Sequence, residues 1–247
     1  MEKMMHLAAQ YLAAAGISFV SKKDDDSHTN LEFSIAKSCM KTHELSKNGD
    51  TLSLDYKNFS LNWKSVSGNA SFPLDGAKHK DVLTWLKATS KTFLKRPYVY
   101  EFHYDLPYEI TDDFKFELLD VKRLSELLQL RILAQLTLEE TLKESNLKSS
   151  IRTWPHHFDS GAYASLSKDV AVGFGLAIPD NVCSDHYFYI SGYKGHNALH
   201  TDGFSSLSNG EWKNDGFKGA IISSEGIDKS KALLFFQETI KKYQTVT

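Results

Sequence analysis

The run "DVAVGFGLAIPD", residues 169–180, constrains the fold more than any other stretch of the chain. Val170, Val172, Phe174, Leu176 and Ile178 alternate with Ala171, Gly173, Gly175 and Ala177. A period of two is a strand's period, so one face of this segment is bulky and apolar and the other is nearly bare. A strand of that kind needs neighbours on both edges. "IRTWPHHFDSGAYASL" precedes it and "HYFYISGY" follows it, each with alternation of its own. If "SLSK" turns the chain so that residue 161 lies opposite 173, then Trp154, Phe158, Val172, Phe174 and Leu176 share one side. A slip of one residue would scatter them.

In that register His157 and Asp159 stand on the bare face, and Tyr189 and Tyr193 of the third strand line it too. A glycine and alanine floor with tyrosine walls and a His/Asp pair has the ingredients of a small-molecule pocket: apolar area supplies binding and a few polar groups fix orientation. A carboxylate can orient an imidazole for proton exchange, with His157 as base, Asp159 as its partner and a tyrosine as hydrogen-bond donor. The alternative reading is noncatalytic. There the small residues accommodate a closely packed helix, His157 and Asp159 only satisfy each other, and an aromatic face meets a partner protein or a second copy of the chain.

The rest of the chain supplies more strands and a few helices. Met4, Ala8, Tyr11, Leu12 and Ala15 fall at helical spacing, so "MEKMMHLAAQYLAAAG" reads as an amphipathic first helix, although its small-residue end also resembles a leader peptide's cleavage site. "LEFSIAKS" and "TLSLDYKNFSLNW" alternate as strands, with "KNGD" as a hairpin turn between them. Val82, Trp85, Leu86 and Phe93 define a second helix, for which Asp75 or Asp81 is the expected cap. "RPYVYEFHYDLPYEI", with prolines at 97 and 107, reads as a strand-like crossover. From about Arg123 to Glu144 a leucine-rich helix carries more than one apolar stripe, which predicts burial on two sides. Leu233, Phe236, Ile240 and Tyr243 place a closing helix at the end. The predicted class is α+β, an antiparallel sheet or sheets with flanking helices. One compact unit over residues 1–247 is expected, built from two β-rich halves, 1–95 and 150–247, joined by the helical connection 96–149.

Composition excludes several classes of partner. The net charge of −2 offers no long-range attraction to nucleic acid or anionic lipid. No stretch approaches the roughly 20 apolar residues a membrane-spanning helix requires. Cys39 and Cys183 lie in unrelated contexts without a CxxC neighbour, which fits a reducing cytoplasm. "GFGLA" begins like a dinucleotide fingerprint, but Pro179 follows where a helix should start, and no Walker lysine motif occurs. No nucleotide cofactor is implied. "HNALHTDG" holds two histidines four apart and "DDDSHTN" lacks the spacing of a calcium loop, so His157 and Asp159 are left as metal candidates without a supporting motif.

Taken together, "WPHHFDSG", "GFGLAIPD", "YFYISGY" and "DDDSHTNL" resemble a family of bacterial hypothetical proteins to which no reaction is assigned. The resemblance implies no catalytic role for any residue. It does place the aspartate loop, with Asp24, Asp26 and His28, beside the His/Asp strand as a second candidate ligand-binding segment.

Overall fold

A computed structural model of the chain describes residues 1–106 and 108–246. It shows an α+β fold with four helices and two antiparallel sheets. The chain divides into two compact units, Met1–Leu130 with Thr153–His157, and Arg131–Arg152 with Phe158–Thr247.

The first unit opens with α1 (Glu2–Phe19), followed by β1 (Glu32–Ser34), β2 (Cys39–Lys41), β3 (Thr51–Asp55), β4 (Ser60–Ser65), β5 (Gly68–Pro73) and α2 (His79–Phe93). The strands form a sheet in sequence order, β1 to β5. Leu52 pairs with Trp63 and Leu54 with Leu61, and all four are buried, as their alternation requires. α1 is buried without a break from Met5 to Gly16 rather than along one stripe. Its alanines are small enough to admit neighbours on every side, which the amphipathic reading did not anticipate. Asp81 takes the capping role at α2, accepting the N–H of Lys78 at 3.3 Å, whereas Asp75 binds the N–H of Leu118 at 2.8 Å.

Residues 95–120 hold neither helix nor strand among those described, so the strand-like crossover is irregular chain. Its aromatic residues pack ring to ring, Tyr100 on Phe102 and Phe102 on Tyr104, instead of pairing their backbone as a ladder. Pro107 lies outside the described residues. α3 (Val121–Glu144) then gives its first ten residues to the first unit and the remainder to the second. Its buried positions, among them Leu124, Leu127, Leu128, Arg131, Ala134, Leu138 and Leu142, form one stripe at three- and four-residue spacing. The expected two-sided burial is absent because outward leucines such as Leu136 remain exposed.

β6 (Arg152–Trp154), β7 (Asp159–Ser165), β8 (Val170–Ala177), β9 (Tyr187–Lys194), β10 (Asn197–Ala198), β11 (Glu211–Lys213) and β12 (Gly219–Ser223) precede α4 (Lys229–Gln244). The sheet order is β11-β12-β9-β8-β7-β6, with β10 paired to β9. Gly161 lies opposite Gly175, and Tyr163 opposite Gly173. The ladder is therefore displaced by two residues from the expected pairing of 161 with 173. An even displacement keeps every side chain on its face. Val172, Phe174, Leu176, Phe188 and Ile190 form the buried side, and Phe236 of α4 meets Phe174 and Phe188 at 5.4 and 5.7 Å between ring centroids. Gly192 gives α4 its close seat, because a Cβ there would lie 2.3 Å from the ring of Tyr243. No described helix is long and apolar enough to cross a membrane.

Candidate functional site

The bare face of the second sheet carries Asp159, Tyr189 and Tyr193 as the alternation predicts, but its floor is not open. Tyr189 donates its hydroxyl to Oδ2 of Asp159 at 2.5 Å. That hydroxyl lies 2.9 Å from where a Cβ would stand on Gly161. At Gly173 the same test meets Tyr193 at 3.4 Å and Tyr163 at 3.6 Å. The glycines make room for rings laid across them, so the tyrosines read as walls cover the floor themselves. Burial, then the adjacent Asp159 carboxylate, pushes the Tyr189 phenol well above its ordinary pKa. Asp159 is further positioned through its neighbours: the buried Arg131 donates to the carbonyl of Phe158 at 2.6 Å and to Oγ of Ser160 at 2.8 Å, and stacks over the Phe158 ring at 4.4 Å.

His157 is not a strand residue. β7 begins at Asp159, and residues 155–158 form a turn whose Phe158 has φ of 56°. The alternation that put His157 and Asp159 on one face stops at that turn, and the pairing inferred from it lapses. The Trp-Pro-His-His segment belongs to the first unit, where buried side chains of α1 hold it. Nε2 of His6 and Nε2 of Gln10 both meet the carbonyl of Pro155, at 2.8 and 2.7 Å. A carbonyl only accepts, so His6 carries its hydrogen on Nε2. Gln10 in turn accepts the Tyr104 hydroxyl at 2.8 Å.

This anchoring delivers His156 and His157 to a cluster of rings. Their centroids are 4.2 Å apart. Tyr104 lies 5.4 Å from His156, and His103 lies 5.1 Å from Tyr104. His103 then meets the aspartate loop: its Nε2 is 3.2 Å from Oδ2 of Asp26, and its ring stacks with that of His28 at 6.4 Å. Asp26, His28, His103, Tyr104, His156 and His157 thus form one continuous group inside the first unit.

The loop is built to present that carboxylate. Asp25 accepts the N–H of Ser27 at 3.0 Å, and the carbonyl of Asp26 accepts both the N–H and the hydroxyl of Thr29, at 3.0 and 2.9 Å. Asp26 itself sits in the left-handed region with φ of 55°, a conformation aspartate tolerates better than most residues. Gly16 lets α1 approach closely, since a Cβ there would lie 2.6 Å from the carbonyl oxygen of His28. Burial lowers the pKa of His28, and it pushes that of His156 down to about 4, with His157 and His103 adding to the effect and Asp26 opposing it. Both rings are therefore neutral near pH 7.

The sequence-derived candidates fall into two groups. Asp26, His28 and His157 join the cluster of the first unit, with Asp24 exposed in the adjacent turn; Asp159, Tyr189 and Tyr193 share the sheet of the second. His103, Tyr104, Gln10 and Arg131 were missed. The one available signal for His103 was its place between Phe102 and Tyr104 in an alternating run, where it and its polar neighbours Glu101 and Asp105 are the exposed set. Among the described residues, no three His, Cys, Asp or Glu side chains are grouped so as to hold a metal ion, His157 and Asp159 included. No protein-family model, curated protein or solved structure matches the chain.

Proposed function

We propose that the first unit binds a small polar molecule at its imidazole cluster, and that His103 exchanges a proton with it. The observation that carries this reading is the 3.2 Å contact between Oδ2 of Asp26 and Nε2 of His103. A carboxylate only accepts, so in the neutral ring a hydrogen on Nε2 faces Asp26 and leaves a lone pair on Nδ1. Nδ1 has no hydrogen-bond partner among the described residues. The His103 side chain is 39% exposed, so the ring is within reach of a solute. His28 stacks on the His103 ring and His156 joins it through Tyr104, and both, being neutral, can donate or accept without adding charge. The free thiols, Cys39 buried and Cys183 half-buried, fit a reducing cytoplasm.

A thermal-unfolding screen against small polar metabolites tests the proposal, with wild type and His103→Gln side by side. A ligand at 100 times its dissociation constant adds about 2.7 kcal/mol, roughly 5 to 10 °C in a chain of this size. The expected result is a ligand whose shift disappears in His103→Gln while the ligand-free midpoint stays put. Stabilising ligands that act equally on both proteins would refute it.

A second reading, a noncatalytic aromatic face for a second copy of the chain, is favoured by Tyr163, 57% exposed beside Tyr193 at 5.8 Å. Sedimentation of wild type and Tyr163→Ser decides it: a dimer lost in the variant supports it, and a monomer at all concentrations removes it.

A further inference from the structure

α1 ends at Phe19, and the chain leaves it in extended conformation at Val20. Around this exit lies a cleft of about 540 Å³, bounded by residues 19–23, 44–47, 94 and 96. Its size falls within the range of small-molecule sites. Phe19, Leu45 and Leu94 supply an apolar wall. Lys22, Lys23, Lys47 and Arg96 bring four cations to it against one carboxylate, Glu44, in a chain whose net charge is −2.

The cations are not consumed by internal partners. Among the described residues none of the three lysines forms an ion pair within 4.0 Å. Lys23 acts on Asp25 only as a weak electrostatic neighbour; the Ser27 hydrogen bonds do more to hold that carboxyl below its usual range. Arg96 is fixed in place, donating to the carbonyls of Ser18 and Phe19 at 2.9 and 3.2 Å with its guanidinium 5.3 Å from the Phe19 ring. The cleft therefore combines one oriented cation, three exposed ammonium groups without ion-pair partners among the described residues, and a greasy wall.

We propose that this cleft binds a phosphorylated small molecule, an inference independent of the imidazole reading. A phosphate monoester carries close to two negative charges at neutral pH and several acceptor oxygens, which suits separate ammonium point charges better than a carboxylate's single charge does. The apolar wall takes the organic part of the ester.

Calorimetric titration with phenyl phosphate, inorganic phosphate, phenol and sulfate tests it, on wild type, Lys22→Ala/Lys47→Ala and the surface control Lys57→Ala. The substituted lysines are exposed, so folding is checked simply by an unchanged thermal midpoint. The expected result is saturable millimolar or tighter binding of phenyl phosphate, weaker binding of inorganic phosphate and none of phenol. Affinity should fall at least about tenfold in the double variant and hold in the control. No saturable binding of phenyl phosphate, equal binding of sulfate, or equal affinity in all three proteins would each overturn the proposal.

Discussion

The hydroxyl of Tyr189 on β9 donates to the carboxylate of Asp159 at the start of β7, 2.5 Å away and across the intervening strand β8. The bond reaches over Gly175, which pairs with both Gly161 and Tyr189, so a bare strand is what lets the two outer strands touch. A hydrogen bond to a charged group in a buried setting contributes about 1.5 to 3 kcal/mol. Tyr189→Phe is expected to lower stability by that amount, read as a fall in the urea midpoint at unchanged slope. A loss below about 0.5 kcal/mol would show that the bond contributes nothing to the fold.

Arg131 presents a buried cation to two oxygens of the segment it steadies. It is 5% exposed and its partners are a carbonyl and a hydroxyl, with a ring beneath the guanidinium. Arg131→Ala removes two charge-assisted bonds and leaves a cavity, a loss of about 3 kcal/mol or more. Arg131→Met restores the volume and should recover part of that loss. Chemical denaturation of both variants checks the order; equal stability of Ala and Met would assign the whole effect to the polar contacts.

Face assignment was legible in the sequence wherever alternation ran unbroken. Val172, Phe174 and Leu176 lie on the buried side, and Asp159, Tyr189 and Tyr193 on the other, although the ladder is displaced by two residues. Local pattern failed where a single turn reset the phase. Pro155 to Phe158 leave the strand, and His157 passes to a different unit from Asp159. The cluster around His103 was legible only in part: Asp26, His28 and His157 were among the candidates, but His103, Tyr104 and His156 join them through contacts that no local spacing encodes. Nor does composition distinguish a helix buried on every side, as α1 is from Met5 to Gly16, from one with a single apolar stripe when that stretch holds five alanines and two leucines.

Two glycines of the second sheet, Gly192 and Gly173, should respond to alanine to different degrees. Gly192 faces α4, and a Cβ there would stand 2.3 Å from Tyr243, a clash that only movement of the helix relieves. Gly192→Ala is expected to cost about 1 to 3 kcal/mol by overpacking. At Gly173 the nearest atoms would be 3.4 Å and 3.6 Å away, both in tyrosine rings that can yield slightly. Gly173→Ala should change stability by less than about 1 kcal/mol, partly because alanine restricts the unfolded chain. Thermal midpoints of the two variants decide the point: similar losses would mean that the tyrosine layer is as rigid as the helix seat.

The imidazole cluster should make the protein sensitive to mild acid in a direction set by His156. Its folded pKa, about 4, lies below the ordinary histidine value of about 6.5. Between those values the unfolded chain binds a proton that the folded chain refuses. By linkage, unfolding free energy must then fall as pH drops through 6.5 and level off near 4. His28, shifted the same way by burial, adds to the slope. The stabilisation is fully present above about pH 6.5 and is lost on acidification, the reverse of what a histidine held by a salt bridge would give. His156→Asn removes one titrating group, so its urea midpoint should depend less steeply on pH across this window while the dependence above pH 7 is unchanged. Proton NMR of the wild-type ring checks the origin directly: an imidazole titrating near 4 supports the argument, and one titrating at 6.5 would mean that the ring is solvated in the folded protein.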